Sequence, residues 1–244
     1  MAELELKKHI KKIVTVLKAS NDGGWGKKVG SIATEIGIIV FSLMLANMLH
    51  NYSLKQHQEE ENRLFLHGLK EDIKADIVSL NENLLFYQSA DSAYSYLSHL
   101  PDRSTLDTAR LSQSLSTLEI SNSFRSHSSR YEGFKSSGKL LQIEDQQLLN
   151  DILLLYQEKI GDLKVSEGTW LNIHGKLINY LMEESNLTFD NPDYSTVYQI
   201  FKQRKIYNYS SGLIPWAQLL ERYREVLTLE KQIVKRIDQC YPPE

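Results

Sequence analysis

Residues 31 to 52 read SIATEIGIIVFSLMLANMLHNY, and from Val29 to Leu49 the only formal charge is Glu35. At about 1.5 Å of rise per residue, a helix over this run is long enough to cross a hydrocarbon layer of about 30 Å. The uninterrupted part, Ile36 to Leu49, is relieved only by Gly37, Ser42 and Asn47. A helix of a soluble core carries a polar face, and this run barely has one. A buried core helix and a cleavable signal are the two rivals. The run starts late for a signal, extends beyond a usual apolar region and is followed by no small-x-small cleavage pattern. The expectation is a retained transmembrane helix at residues 29–49.

The flanks set its direction. Residues 1 to 28 hold Lys7, Lys8, Lys11, Lys12, Lys18, Lys27 and Lys28, whereas the twenty residues after Leu49 hold only Lys55 and Arg63. The positive-inside rule then puts segment 1–28 in the cytoplasm and the rest outside, which in a Gram-negative cell is the periplasm. Leu6, Ile10, Ile13, Val14 and Leu17 recur at helical spacing opposite lysines. This pattern suits a basic amphipathic helix on membrane lipid, with Lys7, Lys8, Lys11 and Lys12 toward the anionic surface. A plain solvated helix has the same pattern. The stretch NDGGWG is expected to break that helix and leave Trp25 at the interface depth that indoles favour.

The span resembles that of a family of single-pass proteins of unknown function, found mainly in Bacteroidota, whose span reads approximately E-I-x-L-V-x-I-G-I-L-I-A-L-x-I-N-N-W. Here Glu35-Ile36 opens the run, Ser42 stands where the family has Gly, Ala46 matches, and Asn51-Tyr52 stands for Asn-Trp. LHGLKEDIKADIVSL, Leu66 to Leu80, is similar to the family's juxtamembrane helix. RYEGFKSSGKLLQIEDQQL, Arg130 to Leu148, is similar to its Tyr-x-x-Leu-Lys-Ser-Ser-Gly-Lys segment. The resemblance covers about a third of the chain and implies a bacterial inner-membrane topology but no activity. Asp91-Ser92-Ala93 and Asp107-Thr108-Ala109 also resemble the short acceptor pattern for O-glycosylation in that phylum's periplasm.

An acid within a span costs several kcal/mol unless it is paired, solvated or near an end. Glu35 sits about one and a half turns inside the cytoplasmic boundary, within reach of Lys27 or Lys28. It also shares a stripe with Ser31, Ser42 and Ala46 at steps of four, seven and four, and Ala33 with Gly37 forms a small-x-x-x-small pair beside it. Such a stripe lets helices approach closely, so Ser31, Glu35, Gly37, Ser42 and Ala46 are candidates for a partner-binding face. Snorkelling, packing and proton carriage all remain open for Glu35.

Beyond the run the periodicity is helical. Leu66, Leu69, Ile73, Ile77, Leu80, Leu84 and Tyr87 step by three and four, an a/d-type seam flanked by charge. Either this is a stalk seam for an intermolecular coiled coil or an ordinary bundle helix. Pro101 is expected to stop the helix, with others near 105–119, up to the FKSSG that Gly138 caps, over 144–160, over 168–184 after a break at Gly161, and from Pro215 to Asp238. NLTFDNPDYS is expected to be irregular, followed by a short element through Tyr207. Residues 89 to 137 contain fifteen serines, yet Tyr94, Leu97, Leu111, Leu115 and Leu118 keep helical spacing, so this reads as a serine-rich surface on packed helices. The fold class is all-α: an N-terminal transmembrane helix, a juxtamembrane stalk helix over 50–100 and a helical periplasmic domain over 101–244.

Composition narrows function by exclusion. With 28 Lys+Arg against 31 Asp+Glu the net charge is -3, which suits no nucleic acid partner. One cysteine, Cys240, excludes an internal disulfide and a multi-cysteine metal centre. The phosphate-binding, dinucleotide, nucleophile-elbow and zinc-protease motifs are missing from the sequence. His50, His57 and His67 are spaced by seven and ten, which fits solvated positions better than a metal site. No catalytic residue, cofactor, metal or small-molecule substrate is evident. The expectation is a non-enzymatic, membrane-anchored interaction module that oligomerises or joins a larger membrane complex. A transmembrane sensor or force relay is the alternative.

Overall fold

The structure, a computed structural model, describes residues 8–9, 11–12, 15, 25–183, 187, 192–215 and 217–242; for 25–29 it describes the backbone alone. Every element among them is helical and none is a strand, so the fold is all-α. The first long helix, α1, runs from Trp25 to Ser98, 74 residues. By contact density the chain forms two compact units, Met1–Glu60 and Glu61–Glu244.

In the first unit most of the described apolar side chains are exposed, with Ile32 and Ile39 half-buried. None of the apolar window of α1 is buried; Phe41 and Met44 are 67% exposed and Met48 72%. Lys8, Lys11 and Lys12 are helical and exposed. The expected break at NDGGWG is corrected at its end, because Trp25 and Gly26 already belong to α1. A helical glycine costs only about 1 kcal/mol relative to alanine, too little to stop a helix that the following apolar run continues. Residues 20–24 lie outside the described residues, as do Lys7 and the Trp25 side chain.

In the second unit, aspartates set where helices start. Asp107 accepts from the Ala109 and Arg110 amides at 3.0 Å and opens α2, Thr108–Leu118. Asp145 accepts from the Gln147 and Leu148 amides and opens α4, Gln146–Leu154. These carboxylates satisfy amides that have no partner within the helix. Between them α3, Ser129–Ser136, ends where Gly138 takes φ +73°, a left-handed turn that glycine adopts without steric cost, and donates to the Lys135 carbonyl at 3.0 Å.

The break expected at Gly161 does not occur. The helix passes from α4 through a π turn, Leu155–Lys159, directly into α5, Ile160–Glu183. The π turn inserts one extra residue and rotates the apolar stripe, so the pattern reads as two helices although the backbone is continuous. Next come α6, Tyr194–Phe201, and α7, Arg204–Gly212, then α8, Ala217–Cys240, with Pro215 itself outside the helix. The start of NLTFDNPDYS lies largely outside the described residues, and its last two residues open α6.

Leu66, Leu69, Ile73 and Leu80 are fully buried, and Ile77 and Leu84 pack against the same core. The seam therefore faces its own bundle, as an ordinary bundle helix does. Trp170 on α5 forms the centre: Phe86, Tyr87 and Tyr94 meet it edge-on at 5.8, 5.2 and 6.0 Å. His174 stacks on it nearly parallel at 5.2 Å. Such edge-to-face contacts add about 0.5–1.5 kcal/mol per pair to the burial of large rings. Helix α5 packs on α7 and α8, and α4 on α8.

Candidate functional site

The residues named from sequence fall in two places. Ser31, Gly37, Ser42 and Ala46 are exposed and Glu35 is half-buried, all on one stretch of α1. A Cβ added at Gly37 would meet nothing within 4 Å, so the described residues leave room there for another helix. The Ser42 hydroxyl donates to the Ile38 carbonyl at 2.7 Å and is satisfied within its own helix. His50 and His57 are exposed and His67 is half-buried. Among the described residues no group of His, Cys, Asp and Glu is placed to hold a metal ion. Ser92 lies within α1, whereas Asp107-Thr108-Ala109 is exposed at the start of α2.

A second set, in the bundle, was missed by the sequence reading. Residues 120–128 are irregular and run across the bundle. Their backbone must find partners away from any helix or sheet. Buried side chains supply several. The Phe124 amide donates to Glu167 at 2.9 Å, and Tyr87 donates its hydroxyl to the Asn122 carbonyl at 3.2 Å. The His127 amide donates to Asp76 at 3.0 Å, Ser126 donates its hydroxyl to the same carboxylate at 2.9 Å, and His127 Nδ1 lies 2.5 Å from it. His174 Nε2 meets the Leu118 carbonyl at 2.9 Å. Burial pushes the Glu167 carboxyl up, and Tyr223 donates its hydroxyl to it. Burial likewise pushes His174 down, toward the neutral imidazole that stacks on Trp170. These polar groups hold an irregular segment in place, and each has a structural partner.

Among the described residues several buried polar atoms have none, those of Glu230 and Tyr156 among them. Glu230 on α8 is fully buried with neither carboxyl oxygen hydrogen-bonded, and the Tyr156 hydroxyl on the π turn is likewise unpartnered. Burial, reinforced by the negative charge of Asp76, pushes Glu230 up to about 9. It is therefore neutral at physiological pH, when its own charge would be costly. Burial also raises Tyr156, with further contributions from Asp76 and Glu230. Its ring stacks on Tyr131 at 4.3 Å, and Gln157 donates to the Tyr131 hydroxyl at 3.1 Å. Tyr156 belongs to the π turn, a helix irregularity frequent at functional sites.

Sequence carried a signal for these acids. Leu219, Tyr223, Val226, Glu230, Ile233 and Ile237 step by four and three, as do Leu163, Glu167, Trp170, His174 and Leu177, so each acid occupies an apolar stripe. No protein-family model, curated protein or solved structure matches the chain.

Proposed function

We propose that this chain is a non-enzymatic, membrane-anchored interaction module. Its apolar helix sits in a bacterial inner membrane with residues 1–28 cytoplasmic, and its helical bundle lies in the periplasm. The observation that carries the reading is the exposure of the apolar part of α1: a core helix would be mostly buried, and none of this window is buried. Leaving Ile38, Phe41, Met44, Met48 and Leu49 in water would cost roughly 1.5–3 kcal/mol for each side chain relative to burial, so a lipid or protein cover is required. The resemblance of the span to the single-pass Bacteroidota family supports the same topology. The stripe of Ser31, Glu35, Gly37, Ser42 and Ala46 is the proposed partner face, and Lys8, Lys11 and Lys12 the lipid-surface residues.

Affinity purification of the full chain in mild detergent, followed by mass spectrometry, tests this. A co-purifying membrane complex or a stable homo-oligomer supports the module, and a monomer without partners counts against it. The buried, unpartnered Glu230 and Tyr156 favour a second reading, a sensor or force relay. A relay needs a cytoplasmic partner, which crosslinking from Lys8, Lys11 or Lys12 captures.

A further inference from the structure

Between α1 and α2 lies a cleft of about 420 Å³ whose chemistry is independent of the anchor reading. We propose that it binds a small carboxylate whose other groups donate hydrogen bonds, such as a sugar acid or a peptide carboxyl terminus. Its size suits a ligand of that class. Of the residues lining it, Arg110 alone is charged. Arg110 makes no ion pair among the described residues, and its guanidinium carbon lies over the Tyr96 ring, 4.5 Å from the centroid.

That ring is itself fixed. Tyr96 donates its hydroxyl to the carbonyl of Asp107 at 3.1 Å, and the Asp107 carboxylate caps the amides of Ala109 and Arg110. The cation thus rests on a fixed ring with no carboxylate among the described residues paired to it. A planar guanidinium in that state matches a carboxylate through two parallel hydrogen bonds.

The rest of the lining selects the remainder of the ligand. The Ser89 and Thr117 hydroxyls already donate to the Leu85 and Gln113 carbonyls, at 3.1 and 3.3 Å. Their oxygens are left with lone pairs that accept from a ligand's hydroxyl or amide. Gln88 and Gln113, one from each helix, add amides that both donate and accept. Exposed Leu85 supplies an apolar wall. A cation, acceptors and an apolar wall, with no acid, fit neither a cationic ligand nor a purely apolar one.

Calorimetric titration of the full chain in detergent micelles tests the proposal with two matched pairs: galacturonate against galactose, and N-acetyl-alanyl-alanine against its carboxyl amide. The expected result is that at least one acid binds about ten-fold or more tightly than its neutral match, and that Arg110→Gln removes the preference. Binding of galacturonate alone assigns a sugar acid; binding of the peptide acid alone assigns a chain terminus. Equal binding, or none, for acid and neutral forms in the wild-type chain overturns the proposal, as does a preference that survives Arg110→Gln. Gln113→Ala leaves the Tyr96 stack intact and keeps the test open if Arg110→Gln fails to fold: it weakens the acid several-fold, and unchanged affinity excludes the cleft.

Discussion

Arg236 holds Asp145 in a forked pair, Nε to Oδ2 at 2.6 Å and Nη2 to Oδ1 at 2.8 Å, tying the last helix of the chain to the start of α4 across 91 positions of sequence. The same carboxylate caps α4 through the Gln147 and Leu148 amides.

Asp145→Ala therefore removes a cap, worth about 1 kcal/mol, and a partly exposed ion pair worth at most about another. Urea unfolding at pH 7 should show a loss of about 1–2 kcal/mol, whereas Arg236→Ala, which spares the cap, costs under about 1. The hydrogen bond from Arg236 is the main cause that holds Asp145 down at about 2, below its ordinary 3.8. A depressed carboxyl stabilises fully above the unfolded value and loses that contribution as pH falls toward the folded one. The difference between wild type and Asp145→Ala should thus be largest above pH 4 and shrink between pH 4 and 2; a constant difference would place the effect elsewhere.

The seam of α1 is tested by two truncations on one helix. Ile73 is fully buried and Val78 is 59% exposed. If the seam is core, Ile73→Ala costs about 2–5 kcal/mol by loss of burial plus a cavity, and Val78→Ala stays within about 0.5. Thermal melts of both variants in detergent decide it. Similar small losses would mean that the seam is not packed within this chain.

The seam and the glycine turn were legible because each depends on residues close in sequence. Leu66 to Leu84 carry the three-four step and Gly138 follows a serine pair, whereas the expected helix starts near 105 and 144 overlooked Asp107 and Asp145, whose caps begin the helices at Thr108 and Gln146. Gly161 misled, since the π turn at Leu155–Lys159 shifts the stripe by one residue and imitates a helix break. No local pattern marks Glu167 and Asp76 as segment anchors, because the amides they accept from are 43 and 51 residues away. Glu230 has no hydrogen-bond partner to find, so only its place on an apolar stripe marks it.

Orientation is tested with reporters fused after Glu244. With segment 1–28 inside, alkaline phosphatase there is active and a reporter confined to the cytoplasm is dark; the opposite pattern would overturn the topology. Glu35→Gln keeps the side-chain shape and removes the charge. Insertion should persist, and co-purification of the span's partner should fall if the stripe is the contact. Equal recovery with both side chains would return Glu35 to snorkelling toward the lysines.

Glu230 gives the strongest pH dependence. Its folded value of about 9 lies well above the ordinary 4.5, with burial the first cause and Asp76 the second. Between those two values the folded chain keeps a proton that the unfolded chain releases, so stability falls as pH rises through that window, by up to about 1.4 kcal/mol per pH unit, and levels off above the folded value. Gln at this position matches the neutral acid in size and cannot ionise. Wild type and Glu230→Gln should therefore be close at pH 5 and diverge steadily, the variant being the more stable by several kcal/mol at pH 9. Urea midpoints at pH 5, 7 and 9 read this directly, and parallel pH profiles would mean that the carboxyl is solvated or paired in the folded chain.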